Sequence, residues 1–464
     1  MHPTAVILVV GLNRTLLQHA PRLRAFAGST PPHRLKPVLP AVTCSVQASM
    51  LTGVPPAQHG IVGNGWYNHE QAEIQFWKQS NRLVQAPQVW ETARRRDPSF
   101  TCAQMFWWYN MYAKVDWAVT PRPIYKADGR KLPDIHTHPA DLRTQLQEEL
   151  GQFPLFNFWG PMSSIASSRW ITDATIWVHE RHRPTLTLAY LPHLDYALQK
   201  FGPEHPSIPG EVAAIDAQVG RLLDHFAQHS VRPIVLSEYG IEPVDQAIPI
   251  NRILRQAGLL EVREEQGGEL LDAGASRAFA VADHQVAHVY VNNPADLPRV
   301  RELCRGLLNA GVEEVLDAPG KIACGLDHAR TGDLVLVAAP RRWFSYYYWL
   351  TDAQAPDFAH MVEIHRKPGY DPAELFVDPR ITLPHLQIAW KLLRRKLGFR
   401  TLLDVISLDA SLVRGSHGRV HQPADIQPIL LAPHAPVELP EELPCTAVCE
   451  VILEHIFDTN FGLK

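Results

Sequence analysis

Thr43 stands in PVLPAVTCSVQASMLTGVPPAQHGIVGN, residues 37–64, where an apolar run gives way to helical spacing. Val46, Met50 and Leu51 follow on one helical face, and Gly53 closes the segment. A threonine at a helix start can cap the free backbone N–H groups with its hydroxyl. Those same groups attract phosphate, so the hydroxyl can instead be a nucleophile. Two aromatic loops, FWWYNMY (106–112) and WFSYYYW (343–349), add rings, with Trp66 and Tyr67 just beyond Asn64. Such rings either stack on a nucleobase or hold another planar or isoprenoid group, or they pack a lid or subunit interface. Arg169, Lys200, Arg341 and Arg342 are phosphate clamps on one reading and solvated surface on the other.

These residues need a scaffold. Short apolar runs recur at AVILVV (5–10), TLTLAY (185–190), PIVLSEY (233–239), AHVYV (287–291) and DLVLVAA (333–339). Runs of this kind suit strands buried on both faces of a mostly parallel sheet. Between them, EVAAIDAQVGRLLDHF (211–226) puts Val212, Ile215, Val219, Leu222 and Leu223 on one helical face. The alternation predicts an α/β fold in which ligands bind where strands lead into helices.

At 464 residues the chain exceeds one ordinary core, so a large domain with a smaller one is expected. We read residues 1–265 and 350–430 as the main domain and 266–349 as an inserted α+β cap. Residues 431–464 read as a linker followed by an amphipathic segment. A net charge of −4 argues against nucleic acid as the partner. The six cysteines form no disulfide framework and no paired CxxC zinc site, and Cys445 and Cys449 read as packing residues. The opening MHPTAVILVVGLNR is too short to span a membrane and lacks a secretory pattern, so it reads as a buried first strand and the chain as cytoplasmic.

The 37–64 block resembles the nucleophile segment of the nucleotide pyrophosphatase/phosphodiesterase branch of the alkaline phosphatase superfamily. Pro40, Thr43, Thr52, Gly53, a Pro at 55 or 56, His59, Gly60, Ile61 and Asn64 fill the family's places. Four further segments resemble that family in the expected order: AVILVVGLNR, YLPHLDYALQKFGP, VLSEYGI and RGSHGRVHQPADIQPILL. The resemblance implies a three-layer α/β/α fold, Thr43 as nucleophile, and a divalent metal site of one or two ions (zinc, manganese or magnesium). It places metal ligands at Asp195, Glu238 and His417.

The ligand set departs from the family's at several points. Val10 stands where the first strand carries an Asp, with Asn13 the nearest polar side chain. The family's second His falls on Gln199, and its Asp-His pair becomes Glu238-Tyr239. The phosphate-contacting Asn falls on Val46, with Gln47 beside it. The altered set is expected to hold one ion, oxygen-rich enough to favour Mg²⁺ or Mn²⁺.

Substitute ligands are offered by ADHQVAH (282–288), with Asp283, His284 and His288, and by the 356–372 loop, with Asp357, His360, His365 and Asp371. Asn64, Gln47, Arg366 and Lys367 are expected to contact substrate. The resemblance thus implies a phosphodiesterase or pyrophosphatase acting on a small phosphorylated metabolite, with homodimerisation left open. Two alternatives stand beside it. One is a degenerate relative that binds a phosphorylated ligand without turnover. The other is a transferase, mutase or sulfatase-like member, for which Cys44 lies one place off.

Overall fold

The computed structural model describes residues 1–127 and 130–458. Its main sheet has nine strands: β1 (Thr4–Val9), β2 (His33–Lys36), β3 (Cys102–Met105), β4 (Trp117–Pro121), β5 (Ile135–His138), β6 (Leu186–Leu191), β7 (Arg232–Leu236), and, late in the chain, β12 (Ile429–Leu431) and β13 (Glu442–Pro444). A second, four-stranded sheet is made of β8 (Ala278–Asp283), β9 (Val286–Val291), β10 (Val312–Leu316) and β11 (Leu334–Ala338). The helices that matter here are α1 (Thr43–Thr52), α2 (Ile165–His182), α3 (His193–Phe201), α4 (Ile208–Gln228), α5 (Pro384–Lys396) and α6 (Val448–Phe457).

The main sheet runs β13-β2-β12-β7-β1-β6-β3-β4-β5. The five strands from β7 to β4 are parallel, with β1 in register with β6 (Thr4 opposite Leu186) and with β7 (Thr4 opposite Arg232). Every residue of β1 and β6 is buried, as strands covered by helices on both faces require. This is an α/β fold with a large, mostly parallel central sheet, as expected.

Two of the five apolar runs lie within residues 266–349, outside the main sheet. AHVYV and DLVLVAA became β9 and β11, neighbours in the antiparallel four-stranded sheet. Period alone cannot separate a buried parallel strand from a buried antiparallel one. The tail also differs from a linker. β13 pairs with β2 at the sheet edge, and α6 buries Val448, Val451, Ile452, Leu453 and Ile456 in the main core. Each such side chain contributes about 1.5–3 kcal/mol on burial, so the tail is part of the fold. Cys445 and Cys449 are buried free thiols that pack there.

Gly11, just past β1, has φ +74°, and a Cβ added to it would meet Leu198 of α3 at 2.8 Å. Glycine lets α3 come close, and α3 carries Asp195.

Candidate active site

The carboxyl ends of β1, β6 and β7 converge with the start of α1. The N-cap of α1 is Val42, in extended conformation and without a capping side chain, so Thr43 is the first helical residue. Its hydroxyl does no capping. It lies 3.1 Å from the Tyr239 hydroxyl, and Tyr239 donates to Asp195 Oδ1 at 3.3 Å. Since the phenol proton is committed to the carboxylate, Thr43 is the donor to the phenol oxygen.

Asp195 comes from α3, two residues inside its start, and Glu238-Tyr239 from the turn after β7. His417 follows the short strand Gly415–Ser416 and donates from Nδ1 to Ala41 O at 2.8 Å. Its Nε2 therefore carries the lone pair and faces Asp195 Oδ1 at 3.8 Å, as a metal-binding imidazole would be held. Tyr239 stacks on His417 at 3.6 Å, and His284 lies on the other side at 3.8 Å.

Burial dominates the electrostatics. It raises Asp195 to about 7, against the opposing hydrogen bonds from Gln199 and Tyr239. It also pushes Glu238 well up, although Gln47, Thr43 and Tyr239 stand near enough to favour the anion. Neither Glu238 oxygen makes a well-formed hydrogen bond, and His417 Nε2 makes none. Buried acceptors left without donors are costly, and a divalent cation is a group that would satisfy them. Burial, with His284 adding to it, drives His417 well below the usual imidazole range and keeps it neutral, as a ligand must be.

The remaining expected residues divide clearly. His284 lines the cavity beside Thr43, in the left-handed region (φ +59°) at the tight β8–β9 turn. Its Nδ1 bonds Asp283 Oδ1 at 2.8 Å, and its ring stacks on Tyr370 at 3.5 Å. Asp283 also takes both the backbone N–H (2.8 Å) and the side-chain amide (3.0 Å) of Asn64. Asn64 Oδ1 accepts from the Cys44 N–H at 3.0 Å, so Asn64 braces α1 and its polar atoms are committed within the protein. Gln47 accepts from the Trp108 N–H at 2.7 Å, and Gln199 from the Tyr370 hydroxyl at 2.7 Å.

Other residues lie apart from Thr43. Asn13 caps the short helix that follows it, accepting from Leu16 N at 2.8 Å. His288 is buried in β9 with its Nδ1 accepting from Gly332 N, and burial lowers it to about 4. Lys367 is buried between Asp371 (2.7 Å) and Glu374 (2.8 Å), and exposed Arg366 pairs with Asp357. Neither lines the cavity at Thr43, whereas His365 does. His360 bonds Ile406 O. Among the described residues the one group of three acidic, His or Cys ligand atoms within 4.8 Å of one another is His179, His225 and His229, on and just after α2 and α4.

Thr43, Asp195, Tyr239 and His284 form the floor of a cavity of about 290 Å³. Its walls are largely apolar and aromatic: Trp77, Trp108, Phe158, Trp159, Tyr196 and Tyr370. Of the two aromatic loops, the rings at 344–349 pack the core of the second sheet, and only Trp108 of 106–112 reaches the cavity. The cavity's cations are Arg122, Lys131 and Arg395, none of them singled out by sequence. Arg341 and Arg342 are paired with Asp245 instead.

The chain matches the type I phosphodiesterase / nucleotide pyrophosphatase family over residues 4–371 and belongs to it. It is similar to the phosphonoacetate hydrolase of Sinorhizobium meliloti 1021, solved with phosphonoformate: 15% identity, 98% of this chain and 96% of that one covered, TM-score 0.62. It is also similar to murine ectonucleotide pyrophosphatase / phosphodiesterase 5, solved in an inactive form with AMP: 14% identity, 100% and 97% covered, TM-score 0.58. An uncharacterized pyrophosphatase/phosphodiesterase of Schizosaccharomyces pombe is 22% identical over 213 residues, which cover 45% of this chain. The match spans 38% of the length of that relative. The fold is that of the alkaline phosphatase superfamily.

Proposed function

We propose that this protein is a phosphoric diester or phosphoanhydride hydrolase in which Thr43 attacks the phosphorus of a small phosphorylated substrate. The observation that carries the reading is the relay at the cavity floor, Thr43 to Tyr239 (3.1 Å) to Asp195 (3.3 Å). As the Thr43 oxygen attacks, its proton passes to the phenol oxygen while Tyr239 gives its own proton to Asp195. The new Thr43 O–P bond replaces the bond to the leaving oxygen, and water then releases the phosphoryl group from Thr43.

Asp195, Glu238 and His417 fit a single divalent cation, on the strength of their unsatisfied buried acceptors. Such an ion would supply charge neutralisation at the phosphoryl oxygens. A second ion does not fit: Val10 offers no ligand, and Tyr239 fills the gap between Thr43 and Asp195. The oxygen-rich donor set supports Mg²⁺ or Mn²⁺ over zinc. The inactive murine neighbour with AMP bound supports a phosphate ester as the kind of ligand.

One observation favours a second reading, binding without turnover. The Cys44 N–H and the Asn64 amide, which follow Thr43 in the motif and could have held phosphoryl oxygens, are spent within the protein, on Asn64 Oδ1 and on Asp283. Turnover of bis(p-nitrophenyl) phosphate and nucleotide diesters with Mg²⁺, Mn²⁺ or Zn²⁺ decides. Activity lost in Thr43→Ala supports the hydrolase. No bound metal and no turnover with any ion supports the binder.

A further inference from the structure

Helix α5 presents its apolar side to water. Its inward positions, Pro384, Ile388, Lys391 and Arg395, are only half-buried, and none of its thirteen residues is buried. On the opposite side Leu386, Trp390, Leu393 and Leu397 recur at the i, i+4, i+7 and i+11 positions of one stripe. They are 65%, 59%, 47% and 64% exposed, and Phe399 and Leu402 continue the patch. Single exposed leucines are ordinary, but a contiguous apolar stripe with a tryptophan at its centre marks a surface that something covers.

Charge says what covers it. Residues 381–403 contain no Asp or Glu and carry Lys391, Arg394, Arg395, Lys396 and Arg400, in a chain whose net charge is −4. Lys391 pairs with Asp404, whereas Arg394, Lys396 and Arg400 have no acidic partner among the described residues. A second copy of this helix would bring cation against cation. A helix with Trp and Leu on one side and unpaired Arg and Lys beside them is suited to the surface of an anionic bilayer. Among the described residues no helix is long and apolar enough to cross a membrane, so attachment is to the surface.

The same helix reaches the active site. Its inward Ile388 and Arg395, with Leu403 and Val405 just beyond it, line the cavity whose floor is Thr43. The cavity's opposite rim carries Tyr125, Phe156 and Met162, also exposed apolar side chains. One side of α5 thus walls the cavity while the other carries the unpartnered patch.

We propose that α5 docks the protein on an anionic lipid surface, and that the cavity takes from this surface a phosphoester bearing a long apolar group. The substrate half rests on the hydrolase reading above; the docking half does not. Sucrose-loaded vesicles of phosphatidylcholine, with and without phosphatidylglycerol, are sedimented with the whole protein. Binding is expected to be at least about tenfold stronger with the anionic lipid, to weaken with salt, and to fall about tenfold or more when Leu386→Glu, Trp390→Glu and Leu393→Glu are combined. Because these side chains face water, the variant keeps the parent's melting temperature. Thr43→Ala binds vesicles as the parent does.

Absence of vesicle binding by the parent overturns the docking half, as does a parent that light scattering shows to be a dimer and whose triple variant is a monomer. The substrate half is read from hexadecyl p-nitrophenyl phosphate in those vesicles against soluble bis(p-nitrophenyl) phosphate, the triple variant losing the first far more than the second. Turnover of the soluble ester alone overturns the lipid substrate. Vesicle binding without turnover of either ester overturns the hydrolase reading and leaves the docking intact.

Discussion

Replacing Tyr239 with Phe removes one oxygen and leaves the ring that stacks on His417 at 3.6 Å. The lost hydroxyl is the link between Thr43 (3.1 Å) and Asp195 (3.3 Å). Both bonds are long for O–H···O, and Thr43 and Asp195 both line the cavity, where water can replace the missing partner. The stability cost is therefore about 1 kcal/mol, one modest hydrogen bond's worth. The rate cost is much larger, because Thr43 loses its route to a base. General-base assistance is worth roughly 10²- to 10⁴-fold, so kcat is expected to fall by about 10²-fold or more with KM little changed. The assay is steady-state hydrolysis of bis(p-nitrophenyl) phosphate, with thermal unfolding as the control. Asp195→Asn is expected to lose at least as much, because it also removes a proposed cation ligand, and the double variant is expected to lose little beyond Asp195→Asn, since both break the same relay. Tyr239→Phe retaining kcat within about threefold of the parent, under conditions where Thr43→Ala is inactive, refutes the relay.

Thr43→Ala is expected to reduce diester turnover by at least about 10³-fold, and mass spectrometry of acid-quenched parent enzyme to find phosphate on Thr43. Metal titration by calorimetry is expected to give one divalent equivalent per chain, lost in His417→Ala; two equivalents would contradict the single-ion site. Lys367→Met leaves Asp371 and Glu374 facing each other in the core, and is expected to cost about 3–5 kcal/mol by urea unfolding. Acid stability offers a further check through His59, which burial lowers from 6.5 to about 3, with His328 adding to it. Its Nδ1 accepts from Ile61 N (3.0 Å), so its protonated Nε2 donates to Ser49 (2.8 Å). Between pH 6.5 and 3 the unfolded histidine binds a proton that the folded one refuses. Its contribution is thus full above pH 6.5 and is lost as pH falls toward 3, on the order of 5 kcal/mol in all. An NMR titration showing His59 protonating near 6.5 would refute this.

Much of the fold was legible because its strands are fully apolar. AVILVV and TLTLAY occupy β1 and β6, and the pattern at 211–226 became α4, extended to Ile208–Gln228. What sequence could not resolve was partnership. Lys367 in HRKPGYD reads as a phosphate contact until Glu374, seven residues on, is seen to neutralise it. Asn64 occupies a substrate-facing place in the motif, yet its amide is spent on Asp283, 219 residues away. The aromatics at 344–349 lie in the second core because β11 and the 342–344 strand carry them inward, while Trp343 packs with Val244 and Val413. The cavity's own cations are Arg122 and Lys131, nine residues apart beside one pair of short antiparallel strands, and Arg395 of α5, with no shared sequence pattern.

On the proposed reading the departures at Val10 and Tyr239 form one coherent change. An ion joining Thr43 to a neighbouring carboxylate would need the space in which the Tyr239 hydroxyl lies, with bonds to Thr43 and Asp195 of 3.1 and 3.3 Å. Val10, fully buried at the end of the first strand, removes a charge that such an ion would have balanced. An uncompensated carboxylate at that place would be expensive beside Glu238, itself already pushed well up by burial. On the proposed reading the apolar residue at 10 and the phenol at 239 belong together: with the phenol hydrogen-bonded between Thr43 and Asp195, a second ion has neither room nor ligands. Restoring one without the other, as Val10→Asp or Tyr239→His alone, adds a buried charge or breaks the relay, and neither rebuilds a two-ion centre.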